Sequence, residues 1–192
     1  DYNFIHGKIL KLDILGHDGP SIIKMLEDFT GISSTNIKLD DPKTLSLFSS
    51  IDALNVDKEI FDSQTGTLGI PEFGTNFVIG MLTETIPKSF ADLVRISGLS
   101  HGTDVWLSNA QELVNSKRAE LKEVIATRED IMIYLINAGA ENKMAFDTME
   151  KVRKGKGLTG EQEGLMKTLD LPEWYIDSCK KIKYMFPKAH AV

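Results

Sequence analysis

Apolar residues recur along most of this chain at intervals of three and four, the period of an amphipathic helix. One stretch departs from that period. In Ile9-Leu10-Lys11-Leu12-Asp13-Ile14-Leu15, Leu10, Leu12 and Ile14 alternate onto one face and Ile9, Lys11, Asp13 and Leu15 onto the other, which predicts a β-strand. Gly16-His17-Asp18-Gly19-Pro20 ends it. Pro20 suits the first turn of a helix whose stripe is Ile22, Ile23, Leu26 and Phe29, closed by Gly31. Asp41-Pro42 starts another helix, feeding Leu45 and Phe48. Residues 49–71 read as irregular, with Gly66, Gly69 and Pro71 as breakers.

Phe73, Phe77, Met81 and Leu82 set a helix within 72–85, stopped by Pro87. Ser89 is an N-cap with Asp92 in the first turn, and the helix carrying Phe90, Leu93, Val94 and Ile96 runs into a glycine-bounded turn, Gly98 to Gly102. Further helices are expected from about Asp104 to Asn115 and from about Ala119, with the apolar run Ile131 to Ile136 ending at Gly139. Residues 141–154 make a helix ending in the basic loop Arg153-Lys154-Gly155-Lys156-Gly157, and Thr159 caps a short one. Pro172 opens the last helix, striped by Tyr175, Cys179, Ile182 and Phe186 and broken by Pro187. The fold class expected is α+β but predominantly α-helical: one strand and about eight or nine helices. A lone strand leaves its ladder groups unpaired, so its partners are expected in chain outside this sequence. The ends, Asp1-Tyr2-Asn3 and Ala189-His190-Ala191-Val192, likewise read as cuts from something larger.

Composition narrows the class. With 192 residues, 42% hydrophobic and 26% charged, the chain can bury a core without staples. The single cysteine, Cys179, excludes an internal disulfide and a Cys-rich zinc site, and a reducing compartment such as the cytoplasm is the simplest fit. No apolar run is long enough to span a membrane, and none reads as a signal peptide. The net charge of −6 argues against a free-standing nucleic-acid binder, yet it hides a gradient. Residues 1–150 carry 13 Lys+Arg against 23 Asp+Glu, and residues 151–192 carry 9 against 5. A basic segment on an acidic body can be a local anion site, although a solvated, charge-mixed surface explains the same numbers.

Three places could carry chemistry. Asp13 is an acid inside an apolar strand; it can hold a divalent metal in a cleft, or simply sit on the strand's wet face. The run Arg95-Ile96-Ser97-Gly98-Leu99-Ser100-His101-Gly102-Thr103-Asp104 offers glycines for close anion approach and donors in Arg95, Ser97, Ser100 and His101; it also suits a plain corner between helices. It lacks the Gly-Lys-Ser/Thr end of a Walker loop. On the closing helix, Tyr184 falls opposite the apolar stripe between Lys180 and Lys181, as a triphosphate and a base would want, or as an ordinary basic helix end would have it. Arg128 begins a helix where the dipole gives a cation nothing, which suggests an outside partner. The basic loop 153–157 could touch a nucleic-acid backbone or merely end its helix. The four histidines have no metal-ligand spacing.

Taken together, Lys11-Leu12-Asp13-Ile14-Leu15-Gly16-His17-Asp18, Gly69-Ile70-Pro71-Glu72-Phe73-Gly74-Thr75, Arg95 to Trp106 and Lys180 to Ala191 resemble one family: the PolC-type alpha subunit of bacterial DNA polymerase III, a replicative DNA-directed DNA polymerase. The resemblance covers essentially the whole chain. It implies that residues 1–30 end a palm domain and that 31–192 form most of a fingers domain, cut short at its C-terminal end. Asp13 would be the third carboxylate of a two-magnesium site whose other two carboxylates lie outside this sequence. Arg95, Ser97, His101, Arg128, Lys180, Lys181, Lys183, Tyr184, Phe186, Lys188 and His190 would face the incoming deoxynucleotide. Partners implied are primer-template DNA, the incoming dNTP, the remaining polymerase domains and, through parts absent here, the sliding clamp and other replisome proteins. With one carboxylate of three, this piece alone is expected to be inactive. The rival classes are a helical nucleic-acid-binding module and a protein-interaction module, neither with chemistry of its own.

Overall fold

Short local signals place most of the helices. The computed structural model describes residues 16–57, 59 and 61–192. It divides into two units, Asp1–Lys38 and Leu39–Val192. The expected strand Ile9–Leu15, and Asp13 with it, lies outside the described residues. Among the described residues the chain is helical, with one isolated antiparallel bridge, Thr103 to Tyr184, and no strand. No helix there is long and apolar enough to cross a membrane.

In the first unit, α1 spans Gly19–Thr30 with Pro20 in its first turn. Gly31 ends it at φ 68°, its N–H donating to Glu27 O at 2.8 Å. The Glu27 carboxylate then accepts from Ser34 N at 2.7 Å and Ser34 Oγ at 2.8 Å, which folds the following turn back onto the helix.

The second unit begins with α2, Pro42–Ser46, where the Asp41 carboxylate accepts from Thr44 N at 2.7 Å. After an irregular stretch comes α3, Asn76–Thr85. It starts later than the apolar spacing of 72–85 implies, because Thr75 supplies the cap at Val78 N. Next are α4, Phe90–His101, and α5, Gln111–Asn115; then α6, Arg128–Asn137, and α7, Asn142–Arg153. The chain ends with α8, Gly160–Thr168, α9, Glu173–Lys181, and the single turn α10, Lys188–Ala191. Met81, Leu82, Ile96, Leu99, Ile131, Leu135, Met166, Tyr175, Ile182 and Met185 are fully buried in one core. Helix α6 packs on α7, and α4 packs on both α3 and α10.

Four expectations are corrected. Residues 98–101 are not a turn: α4 runs through Gly98 to His101. Gly98 is needed for packing, because a Cβ there would lie 2.7 Å from Thr127 Cγ2 and 2.8 Å from Ala126 O. The expected helix 104–115 is broken at Leu107 and Ser108, the latter at φ 57°. No helix starts at Ala119; helix resumes only at Arg128. Lastly, α9 stops at Lys181, so Tyr184 and Phe186 are not helical. Lys183 N and Tyr184 N turn instead to Thr103 O at 3.0 and 3.3 Å, Thr103 N donates to Tyr184 O at 2.9 Å, and Met185 N to Arg153 O at 3.3 Å. These tertiary bonds satisfy the backbone where the helix would have done so.

Candidate nucleotide-binding face

Three segments meet at one face: the C-terminal half of α4, the start of α6, and the extended stretch that leads into α10. Their junction is Asp130. Its carboxylate caps α6, accepting from Ala126 N at 3.1 Å and Thr127 N at 3.0 Å. The Arg95 guanidinium approaches it to 3.6 Å and the Lys188 ammonium to 3.7 Å. Arg95 also donates to Val124 O at 2.8 Å, which fixes its direction. Two cations far apart in sequence therefore share one anion, beside a cavity of about 540 Å³ whose walls include Arg118, Tyr134 and Trp174. Two positive groups against one negative leave this corner attractive to an added anion.

One turn and a half further along α4, His101 is held from both sides. Nδ1 lies 2.8 Å from the Ser97 carbonyl oxygen and 2.9 Å from Ser100 Oγ. Nε2 lies 2.7 Å from Glu72 Oε2. The imidazole stacks on Phe186 with centroids 4.6 Å apart and planes at 21°, and His190 meets the Phe186 ring edge-on with centroids 5.5 Å apart. Arg128 N donates to Phe186 O at 3.2 Å, tying this cluster to the start of α6. The Arg128 side chain donates from Nε to Glu129 Oε1 at 2.8 Å, so its helix-start position is answered from within. Glu129 also accepts from Lys188 N at 2.8 Å. Burial works to raise the Glu129 carboxyl, but those two hydrogen bonds, with its own backbone N–H and the Arg128 charge, together outweigh it and hold the group below the ordinary range.

The structure thus brings together Arg95, Ser97, His101, Arg128, Phe186, Lys188 and His190. The other four make contacts of their own, Tyr184 beside Gly102 at the end of α4. Lys180 pairs with Glu163 at 2.9 Å, and Lys181 donates to Ser108 O at 2.8 Å. Tyr184 is half exposed and held by its bridge to Thr103, while Lys183 packs its backbone on Gly155. Sequence reasoning missed Asp130, Glu129 and Glu72. The pattern Thr127-Arg128-Glu129-Asp130 ahead of an apolar run was a readable capping signal for the first of these; Glu72 gave none, since only the fold carries it to His101.

Residues 19–169 match the family described as the bacterial DNA polymerase III alpha subunit finger domain. The chain belongs to that family. It is 60% identical over 192 residues to a PolC-type DNA polymerase III from Caldanaerobacter subterraneus subsp. tengcongensis, covering all of this chain and 14% of that protein. Over 191 residues it is 60% identical to the PolC-type protein of Thermotoga maritima and 59% identical to that of Bacillus subtilis. It spans only 13–14% of these relatives' length. The match to the finger domain covers Arg95, His101 and Arg128; Phe186, Lys188 and His190 fall beyond its end but inside the full-length alignments.

Proposed function

We propose that this chain is the fingers portion, with the end of the palm, of a replicative DNA-directed DNA polymerase, and that the face around Asp130 and His101 binds the incoming deoxynucleoside triphosphate. The carrying observation is the convergence of Arg95 and Lys188 on Asp130, next to the stacked His101, Phe186 and His190. Arg95 offers a planar fork of donors and Lys188 a mobile point charge, the pair that phosphate recognition uses. As a triphosphate arrives, it would compete with Asp130 for both cations. His101 and Arg128 would add donors, and Ser97, through its carbonyl, keeps the His101 ring in place. Donors fixed in advance collect charge as it develops on leaving oxygens, the larger part of catalysis in phosphoryl transfer.

In this reading a primer 3′-hydroxyl attacks the α-phosphate and pyrophosphate leaves, on a DNA template. Magnesium ions would activate the hydroxyl and neutralise the leaving oxygens. Among the described residues no group of three His, Cys, Asp or Glu side chains could hold a metal, and Asp13 lies outside them. In this reading that chemistry would be carried by Asp13 together with carboxylates elsewhere in the polymerase. Clamp and replisome contacts would likewise belong to other parts of a cytoplasmic polymerase.

Titration of a fluorescent deoxynucleotide tests the face. Arg95→Gln and Lys188→Gln are each expected to weaken binding by roughly tenfold or more, the worth of a charge-assisted hydrogen bond of about 1.5–3 kcal/mol. Unchanged affinity in both variants would remove the assignment. The 192-residue chain alone is expected to extend no primer, and measurable extension would contradict that.

A further inference from the structure

We infer that Glu72 is a positioning residue for the triphosphate face: it decides which nitrogen of His101 carries a hydrogen, and so makes Nε2 a donor to a phosphate oxygen. The inference deepens the triphosphate reading and rests on it. Glu72 stands at φ 70°, a left-handed backbone that is unfavourable for a residue with a side chain. Buried hydrogen bonds around it hold that conformation. Thr67 Oγ1 donates to Phe73 O at 2.8 Å; its one hydrogen is then spent, so Thr65 Oγ1 is the donor in the 2.8 Å bond between the two threonines. Both threonines are buried. A Cβ on Gly74 would lie 2.5 Å from Leu68 O, so the chain closes tightly on itself just after Glu72. Phe73 meets Phe48 edge-on, centroids 5.2 Å apart, which seats the loop on the core. From this fixed loop the Glu72 carboxylate reaches His101 Nε2 at 2.7 Å. Backbone strain held in place by its surroundings collects where a ligand is handled.

The ring needs an outside group to make this choice. Nδ1 is within hydrogen-bond distance of both Ser97 O, which only accepts, and Ser100 Oγ, which accepts or donates. A neutral imidazole therefore has two arrangements. With the hydrogen on Nδ1, directed at Ser97 O, Nε2 is a bare lone pair and repels a phosphate oxygen. With the hydrogen on Nε2, Nδ1 accepts from Ser100 Oγ. The Glu72 carboxylate only accepts, so it selects the second arrangement; a charged ring carries a hydrogen on Nε2 as well. Glu72 has no need to orient the ring, which is already stacked on Phe186 and tied to α4 through Nδ1. Its side chain is 56% exposed against 28% for His101, so the carboxylate can turn into water and leave the hydrogen to the phosphate. Until it turns away, it also competes with that phosphate. Hydrogen placement and competition predict opposite signs when the side chain is removed.

Two measurements on the 192-residue chain separate them. Nitrogen-15 NMR of the imidazole, assigned by the signals that His101→Gln loses, reports which ring nitrogen is protonated. Titration of a fluorescent deoxynucleotide reports binding, and circular dichroism checks that each variant folds. In the unaltered chain Nε2 is expected to carry a hydrogen. Glu72→Ala is expected to move the hydrogen of the neutral ring to Nδ1 and to weaken binding by roughly threefold to tenfold, the net worth of one hydrogen bond. Glu72→Gly, which suits φ 70°, repeats the test should the alanine variant not fold. Glu72→Gln, whose amide oxygen still accepts, is expected to restore both the hydrogen and the affinity. A bare Nε2 in the unaltered chain, a hydrogen that stays on Nε2 in Glu72→Ala, or equal or tighter binding by that variant overturns the role of Glu72. The triphosphate face survives any of these results if Arg95→Gln and Lys188→Gln still weaken binding. A hydrogen that moves as expected, in a chain that binds no deoxynucleotide, supports its placement by Glu72 and overturns the triphosphate face.

Discussion

His101 and Phe186 lie face to face, centroids 4.6 Å apart, although one ends a helix and the other sits in extended chain near the C-terminus. The stack closes only because backbone bonds between Thr103 and Tyr184 bring the two segments together. Phe186→Leu keeps the volume apolar and removes the ring. Aromatic contacts are worth about 0.5–1.5 kcal/mol beyond their burial, so deoxynucleotide affinity is expected to fall roughly threefold to tenfold. The same titration in His190→Gln, which spares the His101 stack, should show the smaller loss.

Asp130 both caps α6 and occupies the two cations, so its charge and its acceptor oxygen can be separated. Asp130→Asn keeps an acceptor and deletes the charge; triphosphate affinity is expected to rise roughly twofold to fivefold, the scale of a partly exposed ion pair. Asp130→Ala also loses the cap and should lower stability by about 0.5–2 kcal/mol in urea unfolding. A fall in affinity for Asp130→Asn would show that the carboxylate positions Arg95 and Lys188 instead of competing for them.

Two helical glycines make opposite predictions. Gly98→Ala gains about 1 kcal/mol of helix propensity, but its Cβ meets a backbone carbonyl at 2.8 Å that cannot step aside. Overpacking of that kind costs about 1–3 kcal/mol, so the net effect is destabilising. At Gly80, within α3, nothing lies within 4 Å of the added carbon, and Gly80→Ala is expected to stabilise by up to about 1 kcal/mol. Chemical denaturation of the two variants checks the signs.

Glu150 gives stability a pH signature. Hydrogen bonds from Arg153, stronger than the opposing effect of burial and joined by Lys154, bring its carboxyl down to about 2 from an ordinary 4.5. A depressed carboxyl contributes stability that is fully present above the unfolded value and is lost as pH falls through the folded one. The melting temperature of the unaltered chain should therefore exceed that of Glu150→Gln by a constant margin above pH 5, and the two should converge between about pH 4.5 and 2.

Local chemistry made much of this protein legible in one dimension. Pro20 and Gly31 bound α1, Asp41 caps α2, Ser89 and Asp92 cap α4, and Thr159 with Gln162 caps α8, because each of these bonds spans only a few residues. The motifs naming Arg95, His101, Phe186, Lys188 and His190 were equally readable, but not their arrangement.

What the sequence by itself determined, then, is where most helices begin and which side chains carry charge and aromatic faces. Tertiary structure decided the rest: that Gly98 packs a helix in place of opening a turn, that 182–186 leaves the helical path, and that Lys183 joins a basic loop while Lys188 joins Arg95. The partners responsible, Thr103 O, Arg153 O and Asp130, lie far along the chain from the residues they redirect. A backbone group exchanges its local bond for a distant one only when the core has already brought that partner within reach, and no periodicity records such a meeting.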